Sequence, residues 1–215
     1  MRIGLYGGTF DPVHLGHVHA ALAVHQHLSL DRVHMILSAR PSHRQQPLTT
    51  NAQRWEMLQL ACSPHDALVA DDTELRREGK SYAVETLRQF RKQYADDQLC
   101  WIMGMDSYVT LATWERWQSL LCFGHLVVLQ RPDHEAVTDA MLQAYEDRYR
   151  SASLDEARFG KIVLLPLPMR SIAASQIRAM REQGRDVAEL IDQRVCSYIK
   201  QHELYLTQEG SFESE

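Results

Sequence analysis

The stretch Gly7-Gly8-Thr9-Phe10-Asp11-Pro12-Val13-His14-Leu15-Gly16-His17 constrains the fold of this chain more than any other feature. The apolar run Ile3 to Tyr6 precedes it and reads as a buried strand; Leu15 to Leu28, rich in Ala, Leu and Val, follows and reads as a helix. The stretch is therefore a strand–loop–helix junction, the point at which an open α/β sheet binds phosphate. Gly7 and Gly8 allow close approach of backbone to a ligand and unusual backbone angles. Asp11-Pro12 is a turn pair, with proline fixing φ just ahead of the helix. His14 and His17, three residues apart, fall on one face of the first helical turn, beside its free N–H groups and positive dipole end. Two imidazoles beside a glycine-rich turn suit a polyanion whose charge grows during a reaction. A Walker A loop is excluded, because it needs a lysine and the first one is Lys80. A zinc site from the two histidines lacks a nearby third ligand, and no glutamate lies between them.

Beyond this junction, strand and helix patterns alternate nearly throughout, which predicts an α/β fold with a doubly wound parallel sheet. Further strands are expected at Val33 to Leu37, Ala67 to Ala70, Leu99 to Met103, Leu126 to Leu129 and Ile162 to Leu165. Helices are expected from Thr50 or Asn51 to Cys62, Ser81 to Tyr94, Thr138 to Arg150, Ala174 to Glu182 and Val187 to His202, with one or two short ones within Asp106 to Leu121. Arg131-Pro132 should break the strand before it, and Ser81 is a good N-cap. The 215 residues suit one domain, expected over 1–206, with an acidic tail at 207–215 expected to be disordered.

Composition narrows the ligands. A net charge of −5 gives no basic footprint for nucleic acid, so anions must be held by local positive groups. Six of the eleven histidines fall between His14 and His34, and most of them read as solvated or hydrogen-bonded helix residues. Cys62, Cys100, Cys122 and Cys196 show no CxxC spacing and sit among apolar residues, so they read as reduced core residues of a cytoplasmic protein. The N-terminus lacks a secretory pattern, and no apolar run approaches the ~20 residues of a membrane span.

The first stretch resembles, over eleven positions, the (G/S)xFDPxHxGH signature of the HxGH nucleotidyltransferase superfamily. The resemblance implies a Rossmann-like fold, His14 and His17 as catalytic residues, and Gly7, Gly8, Thr9 and Phe10 as part of an ATP-binding loop. Ser38-Ala39-Arg40-Pro41-Ser42-His43-Arg44 resembles the superfamily's loop ending in Pro-Pro-His-Lys, with Arg44 in place of the lysine; a phosphate contact carries over to Arg44, whose planar fork differs from an ammonium. Ser171-Ile172-Ala173-Ala174-Ser175-Gln176-Ile177-Arg178 is similar to the second phosphate element, ISSTxIR. There Ser175 would cap a helix, Ile172 would lie beside the nucleotide and Arg178 would add charge over the β- and γ-phosphates, while Ala173 lacks the usual hydroxyl.

Two further segments point to one branch. Ser81-Tyr82-Ala83-Val84-Glu85-Thr86-Leu87 resembles the SYTVETL segment of bacterial nicotinate-nucleotide adenylyltransferases, with Ala83 replacing a threonine. Gly104-Met105-Asp106 is similar to their G-x-D, and Trp114 could stack on a pyridine ring. The resemblance implies that Tyr82, Thr86, Gly104, Asp106 and Trp114 face the mononucleotide. The implied reaction joins ATP and nicotinate mononucleotide into deamido-NAD and pyrophosphate. Mg²⁺ would be carried by the substrate phosphates, with no organic cofactor and no metal site of the protein's own. Only small molecules are implied as partners, apart from a possible oligomer. A phosphopantetheine-type adenylyltransferase, a class I aminoacyl-tRNA synthetase fragment and a non-catalytic nucleotide-binding regulator are the alternatives. The SYAVETL segment, the missing KMSKS-like element, and the intact His14, His17 and Arg178 speak against each in turn.

Overall fold

A computed structural model of the chain describes residues 1–40, 46–130, 137–167 and 170–206. Its elements run β1 (Arg2–Gly8), α1 (Leu15–His27), β2 (Arg32–Leu37), α2 (Asn51–Cys62), β3 (Leu68–Asp71), α3 (Ala83–Gln93), β4 (Gln98–Gly104) and α4 (Met105–Tyr108). Two 3₁₀ turns follow at Leu111–Thr113 and Trp117–Cys122, then β5 (His125–Leu129), α5 (Ala140–Tyr149), β6 (Ile162–Leu165), α6 (Ala174–Glu182) and α7 (Gln193–Gln201). The expected tail at 207–215 and the Arg131-Pro132 break lie outside the described residues.

The six strands form one sheet in the order β3-β2-β1-β4-β5-β6. Every pairing is parallel, with Gly8 opposite Leu37 on one side of β1 and Tyr6 opposite Ile102 on the other. This is the doubly wound, Rossmann-like order. The chain moves outward one way from β1 and then returns to start again at β4, so the crevice between the C-terminal ends of β1 and β4 is the switch point where such sheets bind ligands.

Period-two alternation splits the core into two layers. Ile3, Leu5, Leu99, Trp101, Met103, Leu126 and Val128 pack beneath α3 and the 3₁₀ turns. Val33, Met35, Leu37, Cys100, Ile102, Val127 and Leu129 pack beneath α1, α2 and α7. A Cβ at Gly4, in mid-strand, would lie 2.9–3.0 Å from Leu30, Ile102 and Val33, so its neighbours already fill that place.

Four expectations are corrected. Tyr82, not Ser81, is the N-cap of α3; the Ser81 hydroxyl instead accepts the Arg40 N–H at 3.1 Å, and the Ser81 N–H donates to the Arg40 carbonyl at 3.1 Å. Ser81 thus ties two loops together. Ala173 is the N-cap of α6, which puts Ser175 in the first turn. The last helix starts at Gln193 behind an Asp192 cap, not at Val187. Val187 and Ile191 are buried at helical spacing, yet the Leu190 carbonyl turns away to accept the first N–H of α1 at 3.0 Å. Cys122 is exposed, whereas the other three cysteines are buried and all four are free thiols.

Candidate active site

β1 ends at Gly8, and the chain reverses at Phe10, whose φ of 49° lies in the left-handed region. Phe10 is a buried bulky residue there, so the surroundings hold it. Its ring meets His17 edge-on at 5.0 Å and Tyr6 at 6.2 Å. A Cβ at Gly8 would lie 2.6 Å from that ring, and one at Gly7 would lie 3.1 Å from Trp101. The two glycines stand in ordinary strand backbone; what they supply is room for aromatic rings. This corrects the expectation of unusual backbone angles.

His14 is the N-cap of α1, and His17 is three residues on. The imidazoles stack with ring centres 3.6 Å apart. The His14 N–H donates to His17 Nδ1 at 3.3 Å. Since Nδ1 accepts, the neutral ring carries its proton on Nε2 and presents it as a donor. Gly16 makes the stack possible, because a Cβ there would lie 2.9 Å from His14 Nδ1.

These histidines line a cleft of about 770 Å³ over the C-terminal ends of the central strands. Gly7, Gly8, Thr9 and Phe10 line it from β1; Tyr82 from the start of α3; Gly104, Asp106 and Trp114 from the end of β4 and beyond; and Ile172, Ser175 and Arg178 from α6 and its approach. The structure thus brings together every expected site residue but two. Arg44 lies outside the described residues. Thr86 is not on the cleft wall: it is wholly buried, its hydroxyl donates to Glu74 Oε1 at 2.5 Å, and it accepts from Arg77 at 3.2 Å.

The N-termini of α1, α3 and α6 converge on the cleft, and each brings its positive dipole end there. Arg178 adds a guanidinium, oriented by a 2.7 Å hydrogen bond from Nη1 to the Asp11 carbonyl. The arrangement can hold a polyanion along α1 and α6 and an acceptor-rich group at α3. Among the described residues, no group of three His, Cys, Asp or Glu could hold a metal ion.

Three important residues escaped sequence reading. Asp11 is buried, and its carboxylate accepts from Thr49, the Leu48 N–H and Tyr205. Glu74 is buried at the cleft wall. Arg54 is the largest fully buried side chain; it donates to the carbonyls of Thr9 at 2.7 Å and Ser38 at 2.8 Å, joining the ends of β1 and β2. Burial holds the Arg54 guanidinium below its usual pKa. A signal for Arg54 was present, since it stands at i, i+4 and i+8 with Leu58 and Cys62 on the buried stripe of α2.

A family model of cytidylyltransferase-like proteins matches residues 5–180. A curated protein of Pseudomonas aeruginosa (strain UCBPP-PA14) named "Probable nicotinate-nucleotide adenylyltransferase" is 38% identical over 210 residues, which cover 95% of this chain and 97% of that protein. The chain belongs to the nicotinate-nucleotide adenylyltransferase family. A Pseudomonas fluorescens protein of the same name is 40% identical over 207 residues, again covering 95% and 97%. Among solved structures, the Plasmodium falciparum nicotinic acid mononucleotide adenylyltransferase complexed with NaAD superposes with a TM-score of 0.74 over 95% of this chain and 97% of that one, at 16% identity. At that identity the superposition speaks for the fold alone. Membership in this family decides against the phosphopantetheine-type branch and the synthetase fragment. It also fits the structure: the SYAVETL segment opens α3 and the HxGH segment opens α1, and both line the same cleft. No helix among the described residues is long and apolar enough to cross a membrane.

Proposed function

We infer that this chain is an enzyme of NAD biosynthesis that transfers AMP from ATP to nicotinate mononucleotide, giving deamido-NAD and pyrophosphate. The observation that carries the reading is the stacked His14–His17 pair at the start of α1, sharing one cleft with Arg178 and the start of α6. A 5′-phosphate oxygen of the mononucleotide attacks the α-phosphorus of ATP. The new P–O bond forms as the bond from the α-phosphorus to the bridging oxygen breaks, and pyrophosphate leaves with that electron pair. The nucleophile is already an anion, so no general base is needed; catalysis is positioning and charge stabilisation.

In this reading His14 and His17 donate to the reacting phosphate, Arg178 and the N–H groups around Ser175 hold the leaving pyrophosphate, and Gly7 to Phe10 bed the nucleotide. Arg44 is assigned a phosphate contact by its motif alone. Tyr82, Gly104, Asp106 and Trp114 receive the mononucleotide, and Thr86 acts from behind the wall through Glu74. Mg²⁺ would come with ATP as part of the substrate, held by phosphate and water, and would offset the triphosphate charge. The donor set suits that role, because both Asp11 oxygens are already engaged by protein donors.

The test is pyrophosphate release from ATP and Mg²⁺ with a panel of nicotinate mononucleotide, nicotinamide mononucleotide and phosphopantetheine. A carboxylate is acceptor-only and suits N–H donors at a helix start, whereas a carboxamide would turn an NH₂ toward them. An unpaired buried donor costs roughly 1–3 kcal/mol and the lost charge–dipole attraction adds roughly 0.3–1 kcal/mol, so kcat/KM should favour the nicotinate form about ten- to a thousandfold. Equal values for the two pyridine mononucleotides, or turnover of phosphopantetheine, would overturn the assignment.

A further inference from the structure

Three separate parts of the chain close on Asp11, in the turn after β1. Thr49 Oγ1 donates to Oδ1 at 2.6 Å, and the Leu48 N–H donates to Oδ2 at 2.8 Å. Tyr205, 194 residues away in sequence, donates its phenol hydrogen to Oδ1 at 2.8 Å. Arg178 donates to the Asp11 carbonyl at 2.7 Å. Asp11 is 5% exposed, and it lines the cleft together with Leu48 and Arg178.

The chain end is shaped for this contact. Tyr205 has φ +61° and Glu203 has φ +51°, left-handed backbone that such side chains keep only when their surroundings hold them. Leu204, between them, is buried in the core and anchors the turn. Burial, with Asp11 beside it, raises the Tyr205 phenol far above its usual pKa, so it remains a donor throughout the working range.

We propose that Tyr205 is a positioning residue for ATP: by donating to Asp11 it holds the Thr9–His14 turn, the Leu48–Thr49 stretch and Arg178 in the one arrangement that receives the triphosphate. The proposal rests on the adenylyl-transfer reading of the cleft. It assigns Tyr205 to the ATP side because the same Asp11 that Tyr205 bonds also holds Leu48 and, through its carbonyl, Arg178.

Tyr205→Phe in the full chain keeps the ring and removes only the donor. Isothermal titration with ATP and Mg²⁺ should show Kd rising about tenfold, the size of one hydrogen bond to a charged group. KM for ATP should rise alongside it, while KM for nicotinate mononucleotide stays within about twofold and Tm falls by only a few degrees. Thr49→Val, which removes a second donor to the same carboxylate, should act in the same direction, and the double variant should be less than additive. Unchanged ATP affinity in Tyr205→Phe would overturn the proposal. So would an equal rise of both KM values together with a large fall in Tm, since that is general loosening. If the wild type fails to turn over nicotinate mononucleotide yet Tyr205→Phe still weakens ATP, the latch stands and the substrate reading falls.

Discussion

His17 is committed as a donor before any substrate arrives. Its Nδ1 already accepts the His14 backbone N–H, which leaves the proton of the neutral ring on Nε2. That commitment costs no reorganisation when charge develops on the reacting phosphate, which is the condition under which one donor matters most. His17→Ala should therefore lower kcat roughly 10²–10³-fold, with little change in KM for ATP. Steady-state kinetics on a folded variant decide the point; near wild-type turnover would remove His17 from the mechanism. The residue scale also shows why the signature reads as it does. Gly16 leaves space for the His14 ring and Gly8 for the Phe10 ring, so each glycine is fixed by a neighbouring aromatic ring.

At the scale of elements, α2 does more than cover the sheet. Its buried stripe carries Arg54, which bonds the carbonyls of Thr9 and Ser38 and so holds the ends of β1 and β2 at a fixed separation. Arg54→Met preserves apolar volume but takes the donor from the carbonyls of Thr9, Ser38 and Ala39 and from the Asn51 side-chain oxygen. The expected loss is about 3 kcal/mol, equivalent to a Tm fall of about 6–12 °C in a chain of this size. Thermal melts would show it, and a Tm within about 2 °C of wild type would mean that water replaces the guanidinium fully. The strand ladder and most helices were legible in the sequence because their signals are local: largely apolar runs of four or five residues and side chains at helical spacing. The cleft was legible for the same reason, as its strand–loop–helix junctions carry short motifs. What escaped was long-range. Asp11 reads locally as a turn residue, and its partners Thr49 and Tyr205 lie 38 and 194 residues away. Ser81 and Ser175 read as helix caps, since a hydroxyl before a helix is the usual local solution, but Ser81 is drawn into bonds with Arg40 and α3 starts two residues on, while α6 starts at Ala174 as expected with Ser175 already inside its first turn.

Across the whole molecule, the two ends of the sheet do different work. The C-terminal ends of the strands hold the cleft, whereas the N-terminal end of β5 holds His125, wholly buried, with Nε2 donating to the Ala157 carbonyl at 2.8 Å. Burial lowers its pKa to about 4, with Lys161, Arg91 and Arg2 adding to the effect against the hydrogen bond to Ala157. The sign follows from proton counting. Between pH 4 and the ordinary histidine value of 6.5, the unfolded chain binds a proton that the folded chain refuses, so stability rises with pH across that window. The contribution is fully present above about pH 6.5 and is lost as pH falls toward 4, a loss of about 3 kcal/mol. Asp71 acts lower on the scale: burial pushes its carboxyl up, but hydrogen bonds from His34 and Thr73 outweigh that and hold it below the usual carboxylate range. Its contribution is present above the ordinary carboxylate pKa and fades only as pH falls below it, so the two windows separate. His125→Gln keeps a donor for Ala157 but cannot titrate. Melts at pH 7, 5.5 and 4.5 should show the wild type losing stability steeply and the variant, less stable at pH 7, losing much less over the same interval. Parallel slopes would place the acid sensitivity in some other group.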